Sequence, residues 1–208
     1  GTVHAALANY APAAAQALIA RGVPWDIRIA AGLGEIERVR KMVASGEPDA
    51  KELGLAALQS YIAGREDVLD YLLTTPLDVN VTGIDNGTLL HRACSDGRLD
   101  LVERLTALGA DHNNRDNPFR ATPLDWAAHA GAGEVVSWIT DNAADRLDIH
   151  QAAAHGLIAR AKSLLEASPT VVDVTADVWG AGWVQPLRIA VMTEHQDIAA
   201  LLLEAGAD

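Results

Sequence analysis

Between Glu134 and Asn142 the apolar side chains are Val135, Val136, Trp138 and Ile139, spaced as on one face of a helix. Runs of the same kind stand at Val68, Leu69, Leu72 and Leu73, at Leu101, Val102 and Leu105, and at Ile198, Leu201, Leu202 and Leu203. Gly64, Gly97 and Gly131 precede the runs at 68, 101 and 135, and ahead of the last two glycines alanine holds inward positions, at Ala93 and Ala127. The predicted unit is therefore a pair of helices, the first short and alanine-rich, the second rich in leucine and valine. The stretch from Gly87 to Gly97 returns between Ala121 and Gly131, with Thr88 on Thr122, Leu90 on Leu124, Ala93 on Ala127 and Gly97 on Gly131. The shift is 34 residues at all four points. A fixed period near this length marks a stack of helix pairs, each too small to bury its own apolar face, so that neighbours supply the core.

Positions matching Leu90 recur at Val3, Ile27, Ala57, Leu124, Ile149 and Leu187, at intervals of 24, 30, 33, 34, 25 and 38 residues. Around them stand a Thr-Pro-Leu opening, an alanine pair, the inter-helix glycine and a closing Gly-Ala-Asp, as at Gly109, Ala110 and Asp111. In this the chain resembles the ankyrin repeat, most closely over residues 88–145 and 186–208. The resemblance implies one all-α domain over residues 1–208, an ankyrin-repeat solenoid of about seven helix-pair repeats with β-hairpin connections. The two short intervals predict that the connections after Gly22 and near Asp145 are shortened, with Asp26 and Asp148 capping helices that open from tight turns. Thr122 and Pro123 read as an N-cap and a first helical residue. The third unit, around Ala57, is the most degenerate, and the seventh follows an overlong connection from Val171 to Gln185. In the ankyrin pattern the histidine after the Leu90-type position ties the turn to its neighbour, and His4, His91 and His150 occupy it. Asp125 and Arg188 replace it in two units, where a local ion pair or turn contact is expected.

Composition narrows the function classes. Sixteen basic against twenty-eight acidic residues leave a formal charge of -12, which repels phosphate backbones and anionic lipid. Nucleic acid and membrane are therefore not expected partners, and a partner protein should be neutral or basic. No apolar run approaches membrane-spanning length and no signal-peptide pattern opens the chain, so a reducing, cytoplasmic setting and a monomer are expected. The chain opens without Met and stops at the end of a repeat, as an excised part of a longer parent would. The single cysteine, Cys94, stands at an alanine-pair position and reads as a small buried residue. No cofactor, metal site or catalytic set is expected: no Walker or dinucleotide pattern exists, and no carboxylate or cysteine at ligand spacing is read as accompanying His129 and His155.

The candidate recognition residues follow from the resemblance and from exposure. His129 and His155 fall near the C-terminal ends of first helices in adjacent units, a place that in ankyrin proteins faces the concave groove. Arg92 and Asp96 are groove or surface polar groups. Trp25, Trp126 and Trp138 read as largely core. Trp179 and Trp183 lie in a Trp-Gly-Ala-Gly-Trp turn of the overlong connection. There they either fold back on their own repeat or serve as hot-spot side chains. Phe119 and Arg120 form a similar pair on the preceding long connection, and Ile84, Asp85 and Pro118 extend the row of fingers. A principal site is expected where this row and the Trp179–Trp183 finger flank the helix ends carrying His129 and His155. The implied function is protein recognition through the concave groove and fingers. The rival reading is a small-molecule binder or enzyme using the groove around Trp126, His129, His155 and Trp179, and the discriminating feature is whether that groove is open or deeply enclosed.

Overall fold

A computed structural model describes residues 3, 6, 11–83, 86–117 and 119–208. The chain divides into two compact units, residues 1–84 and 85–208.

The first unit contains α1 (Pro12–Ala20), α2 (Ile27–Leu33), α3 (Ile36–Ser45), α4 (Ala50–Ile62) and α5 (Glu66–Leu72). Asp26 caps α2 as expected, accepting from the Ile29 amide at 2.9 Å. Helices α2 and α4 pack together and α3 and α5 pack behind them. Ala30, Ala31, Ala56 and Ala57 allow the first helices to approach, and Val39, Val68, Leu69 and Leu72 fill the second layer. The degenerate repeat around Ala57 departs from the sequence pattern. Its first helix starts well before the usual position, at Ala50. A reciprocal capping box between Asp49 and Glu52 nucleates it there, with bonds of 2.8 and 3.0 Å. Trp25 is half-buried rather than core, and the Arg38 guanidinium lies 4.0 Å above its ring.

The second unit runs α6 (Leu89–Ser95), α7 (Leu99–Ala107), α8 (Pro123–Ala130), α9 (Gly133–Asn142), α10 (Ile149–Ala154), α11 (Ile158–Ala167), α12 (Pro186–Met192) and α13 (Gln196–Glu204). First helices pack on first helices, α6 on α8 and α10 on α12, and second helices likewise, α7 on α9 and α11 on α13. Ala93, Cys94, Ala127, Ala152 and Ala190 are fully buried between them. At the inter-helix position Gly97, Gly131 and Gly156 have φ of 68°, 74° and 71°, the left-handed region where a Cβ is costly. Glu194 adopts the same φ, 63°, in the last pair without glycine. Trp138 and Val136 are half-buried while Val135 and Ile139 are fully buried, so α9 turns only its narrow stripe inward.

Two histidines act as the repeat pattern implies. His91 Nδ1 accepts from the Thr88 amide at 3.1 Å, which leaves Nε2 to donate to the Ala121 carbonyl at 3.2 Å in the next repeat. His150 Nε2 bridges to the Val174 carbonyl at 3.0 Å. His4 lies outside the described residues.

The connections correct one expectation. Among the described residues the only β ladder is β1 (Ala176–Asp177) with β2 (Trp183–Val184), antiparallel and within the overlong connection. The connection leading to α8 is a turn rather than a ladder. The Asp116 carboxylate accepts from the Ala121 amide at 2.6 Å while the Asp116 amide donates to the Ala121 carbonyl, so a side chain does the work of a second strand. At Ala144–Arg146 the shortened connection is a single 3₁₀ turn. Asn113 spans it from the preceding connection, donating to the Arg146 carbonyl at 2.7 Å and accepting from the Asp148 amide at 2.8 Å. Asp148 then caps α10 through the Gln151 amide, 2.8 Å away.

Candidate functional site

The second unit carries a groove of about 690 Å³. It lies at the C-terminal ends of α8 and α10 and beneath two turns, the one ending at Arg120 and the β1–β2 connection. Phe119, Trp126 and Trp179 supply its aromatic walls, and His129, His155 and Asp125 its titratable groups. The other lining residues, Ser95, Ala121, Ala128, Ala154 and Thr193, are small. They leave the space that the three rings border.

Trp126 is placed by α8. Its ring meets His91 edge-on, with centroids 5.3 Å apart, and the Arg92 guanidinium lies 5.9 Å from its centroid. It is half-buried rather than core, which is how it comes to line the groove. Phe119 is 66% exposed and Trp179 half-buried. Trp179 packs on the cluster formed by Val178, Val184, Ile189 and their neighbours. Both turns carry a non-glycine residue in the left-handed region, Arg120 at φ 56° and Trp179 at φ 52°, each at a cost of order 1 kcal/mol that surrounding contacts must hold. One such contact joins the turns: Arg120 Nε stands 3.4 Å from Asp177 Oδ2. Arg115 braces the same corner, donating to the Arg120 carbonyl at 3.4 Å and pairing with Asp148 at 3.3 Å.

Asp125 is the polar centre. Its Oδ2 accepts from the Thr122 amide at 2.8 Å, closing the capping box of α8. The Thr122 hydroxyl lies 2.8 Å from Oδ2 and 2.7 Å from Gln151 Oε1, and donates to one at a time. Its Oδ1 accepts from His155 Nε2 at 3.0 Å. Burial works to raise the Asp125 pKa, but the hydrogen bonds from His155 and Thr122 outweigh it, and the carboxyl stays below its ordinary value. The carboxylate thus orients the imidazole of His155 in the groove wall, and in the neutral ring Nδ1 is the acceptor.

Of the residues expected to bind, Phe119, His129, His155 and Trp179 line this one groove. Arg92, Asp96, Arg120 and Trp183 do not. Arg120 ties the two turns together, and Trp183, 74% exposed, stands outside. The paired reading of Trp179 and Trp183 therefore splits, since one is packed and the other free of the core. Asp85, Ile84 and Pro118 lie outside the described residues. Asp125 was expected to make a local ion pair or turn contact, and its link to His155, thirty residues away, was not foreseen. The Thr122-x-x-Asp125 capping spacing was visible, whereas Gln151, 26 residues on, gave no local signal. Among the described residues no three His, Cys, Asp or Glu side chains gather as metal ligands would, and no helix is long and apolar enough to cross a membrane.

The model of the family described as ankyrin repeats (3 copies) matches residues 53–147. Those residues are ankyrin repeats, and the fold is all-α of the ankyrin-repeat type, the class of a protein-interaction module. Among individual proteins the chain is similar to "Putative palmitoyltransferase ZDHHC13" of Danio rerio, 28% identical over 203 residues, 88% of this chain and 30% of that protein. It is also similar to "Palmitoyltransferase Hip14" of Drosophila melanogaster, 37% identical over 97 residues, 44% of this chain and 15% of that protein. The chain thus spans less than a third of the length of either relative.

Proposed function

We propose that this chain recognises a segment of another protein through the groove of its second unit and the two turns above it. The observation that carries the reading is the gathering of Phe119, Trp126 and Trp179 around one groove beside His129 and His155. Large rings are the side chains that dominate binding hot spots, and Phe119 and Trp183 are exposed in a way that a partner surface would cover.

The test is affinity capture from the native host with the wild-type chain and with Phe119→Ala, Trp126→Leu and His129→Ala. Loss of one specific protein in these variants, with Arg188→Ala as the exposed control, is the expected result. Capture that ignores all three changes overturns the reading. A small molecule is the second reading, favoured by a groove volume inside the range of about 300–1,000 Å³ typical of ligand pockets. A saturable small-molecule binder lost in Phe119→Ala, with no protein captured, would select it.

A further inference from the structure

We propose that the groove takes a basic side chain, arginine or lysine, from the partner segment. This rests on the recognition reading above and adds the chemistry of the occupant.

The inference starts from the charges that line the groove. No lysine or arginine is among the lining residues, and the one carboxylate there is that of Asp125. The arginines nearest the rim are engaged elsewhere: Arg120 faces Asp177 and Arg115 faces Asp148. Arg92 has its own interactions and stacks towards Trp126 from α6. A cation entering the groove therefore meets no lysine or arginine among its walls, while an anion meets Asp125. Across residues 85–208 the sequence holds eighteen Asp and Glu against nine Arg and Lys, so this unit alone carries nine of the chain's net negative charges. That field draws basic segments towards the surface before any contact forms.

The walls suit the same occupant. Phe119, Trp126 and Trp179 present rings, whose faces attract guanidinium and ammonium groups. The aliphatic stem of Arg or Lys matches the small apolar lining of Ala121, Ala128 and Ala154. Arginine and lysine heads offer only donors, and the groove is supplied with acceptors. Asp125 is one, and the hydroxyl oxygens of Ser95 and Thr193 are others. A glutamate would leave its charge against Asp125, and a leucine would use the walls but none of the acceptors.

The experiment follows the five tryptophan indole N–H signals of the full chain by NMR during titration with acetyl-Gly-Arg-Gly-amide, its lysine analogue, and the citrulline and norleucine analogues. The expected result is a saturable shift of Trp126 and Trp179 by the basic peptides, at least about tenfold tighter than by citrulline or norleucine. The preference should weaken at high salt. Asp125→Asn should abolish it, and Phe119→Ala, an exposed position that the fold does not need, should weaken basic-peptide binding several-fold with Tm unchanged. Equal binding of the citrulline or norleucine peptide at Trp126 and Trp179 overturns the basic occupant and leaves groove recognition standing. No shift of either tryptophan by any of the four peptides overturns the basic occupant as well, and the capture assay then decides separately whether the recognition reading survives.

Discussion

Lowering the pH should destabilise this protein through His112, and the geometry sets the size. His112 is 1% exposed. The Thr106 hydroxyl has one proton, given to the Val102 carbonyl at 2.8 Å, so its contact with His112 Nε2 at 3.1 Å makes that nitrogen the donor. The ring is therefore the Nε2–H tautomer, and Nδ1 is buried with no partner among the described residues. Protonation would place a second N–H where no acceptor waits. Burial accordingly pulls the pKa down from 6.5 to about 4, helped by Arg146 and opposed by Asp111 and Asp145. The sign follows from linkage: the unfolded chain binds this proton below pH 6.5 and the folded chain only below about 4. Stability is thus full above pH 6.5, falls as pH drops through that window, and levels off below it. Between pH 7.5 and 4.5 the loss from this one group is about 2–3 kcal/mol, a large part of the roughly 5–15 kcal/mol that domains possess. His150 is also depressed, by burial first, and adds a loss of the same sign. A variant must therefore isolate His112. In His112→Leu the Thr106 hydroxyl keeps its bond to Val102, and urea unfolding at both pH values should show an acid loss about 2–3 kcal/mol smaller than wild type. An unchanged acid loss, or a His112 ring that titrates near 6.5 by NMR in the folded chain, refutes the reasoning.

Three further outcomes are expected. Gly54 lies inside α4, where alanine would ordinarily gain about 1 kcal/mol of helix propensity. A Cβ there would collide with the Asp78 carbonyl and crowd both Val81 methyls, so Gly54→Ala should instead destabilise by roughly 1–2 kcal/mol in urea titration, and a more stable variant would show the approach to be slack. Trp183→Ala should cost under about 0.5 kcal/mol and Trp179→Ala about 1–2 kcal/mol in thermal unfolding, and the reverse order would contradict the packing of this turn. Cys94, its thiol pushed up by burial, should react with a thiol reagent only as fast as the fold opens, and rapid modification of the native chain would contradict its placement.

Much of this protein follows from local rules that a linear sequence exposes. The left-handed inter-helix position is one backbone geometry repeated along the chain, so glycines at Gly97, Gly131 and Gly156 mark it wherever it recurs. Asp26 and Asp148 cap helices through amides three residues away, so their role is readable within a single turn. The burial of Cys94 follows from its place in the alanine row. The early start of α4 was also readable, in Asp49 and Glu52, but the strong repeat pattern pulled the register towards Ala57.

The groove was another matter. Its walls come from Phe119, Trp126, His155 and Trp179, which belong to separate turns and helices and share no spacing. Only the nearness of His129 to His155 was legible, since both stand near the ends of first helices in adjacent repeats. Periodicity brings like ends of neighbouring helices side by side, whatever residues they carry. The bond from His155 to Asp125, thirty residues apart, depended on side-chain reach across the α8–α10 corner, and so did the shared Thr122–Gln151 contact. The same is true of Trp126, which stays half-buried at the groove beside His91 and Arg92, and of Trp183, which the two-residue β1–β2 ladder turns to solvent. Helix caps and repeat period act over one to four residues and were written in the sequence. Pairings that close over thirty residues depend on how adjacent layers seat, and only the packed structure decided them.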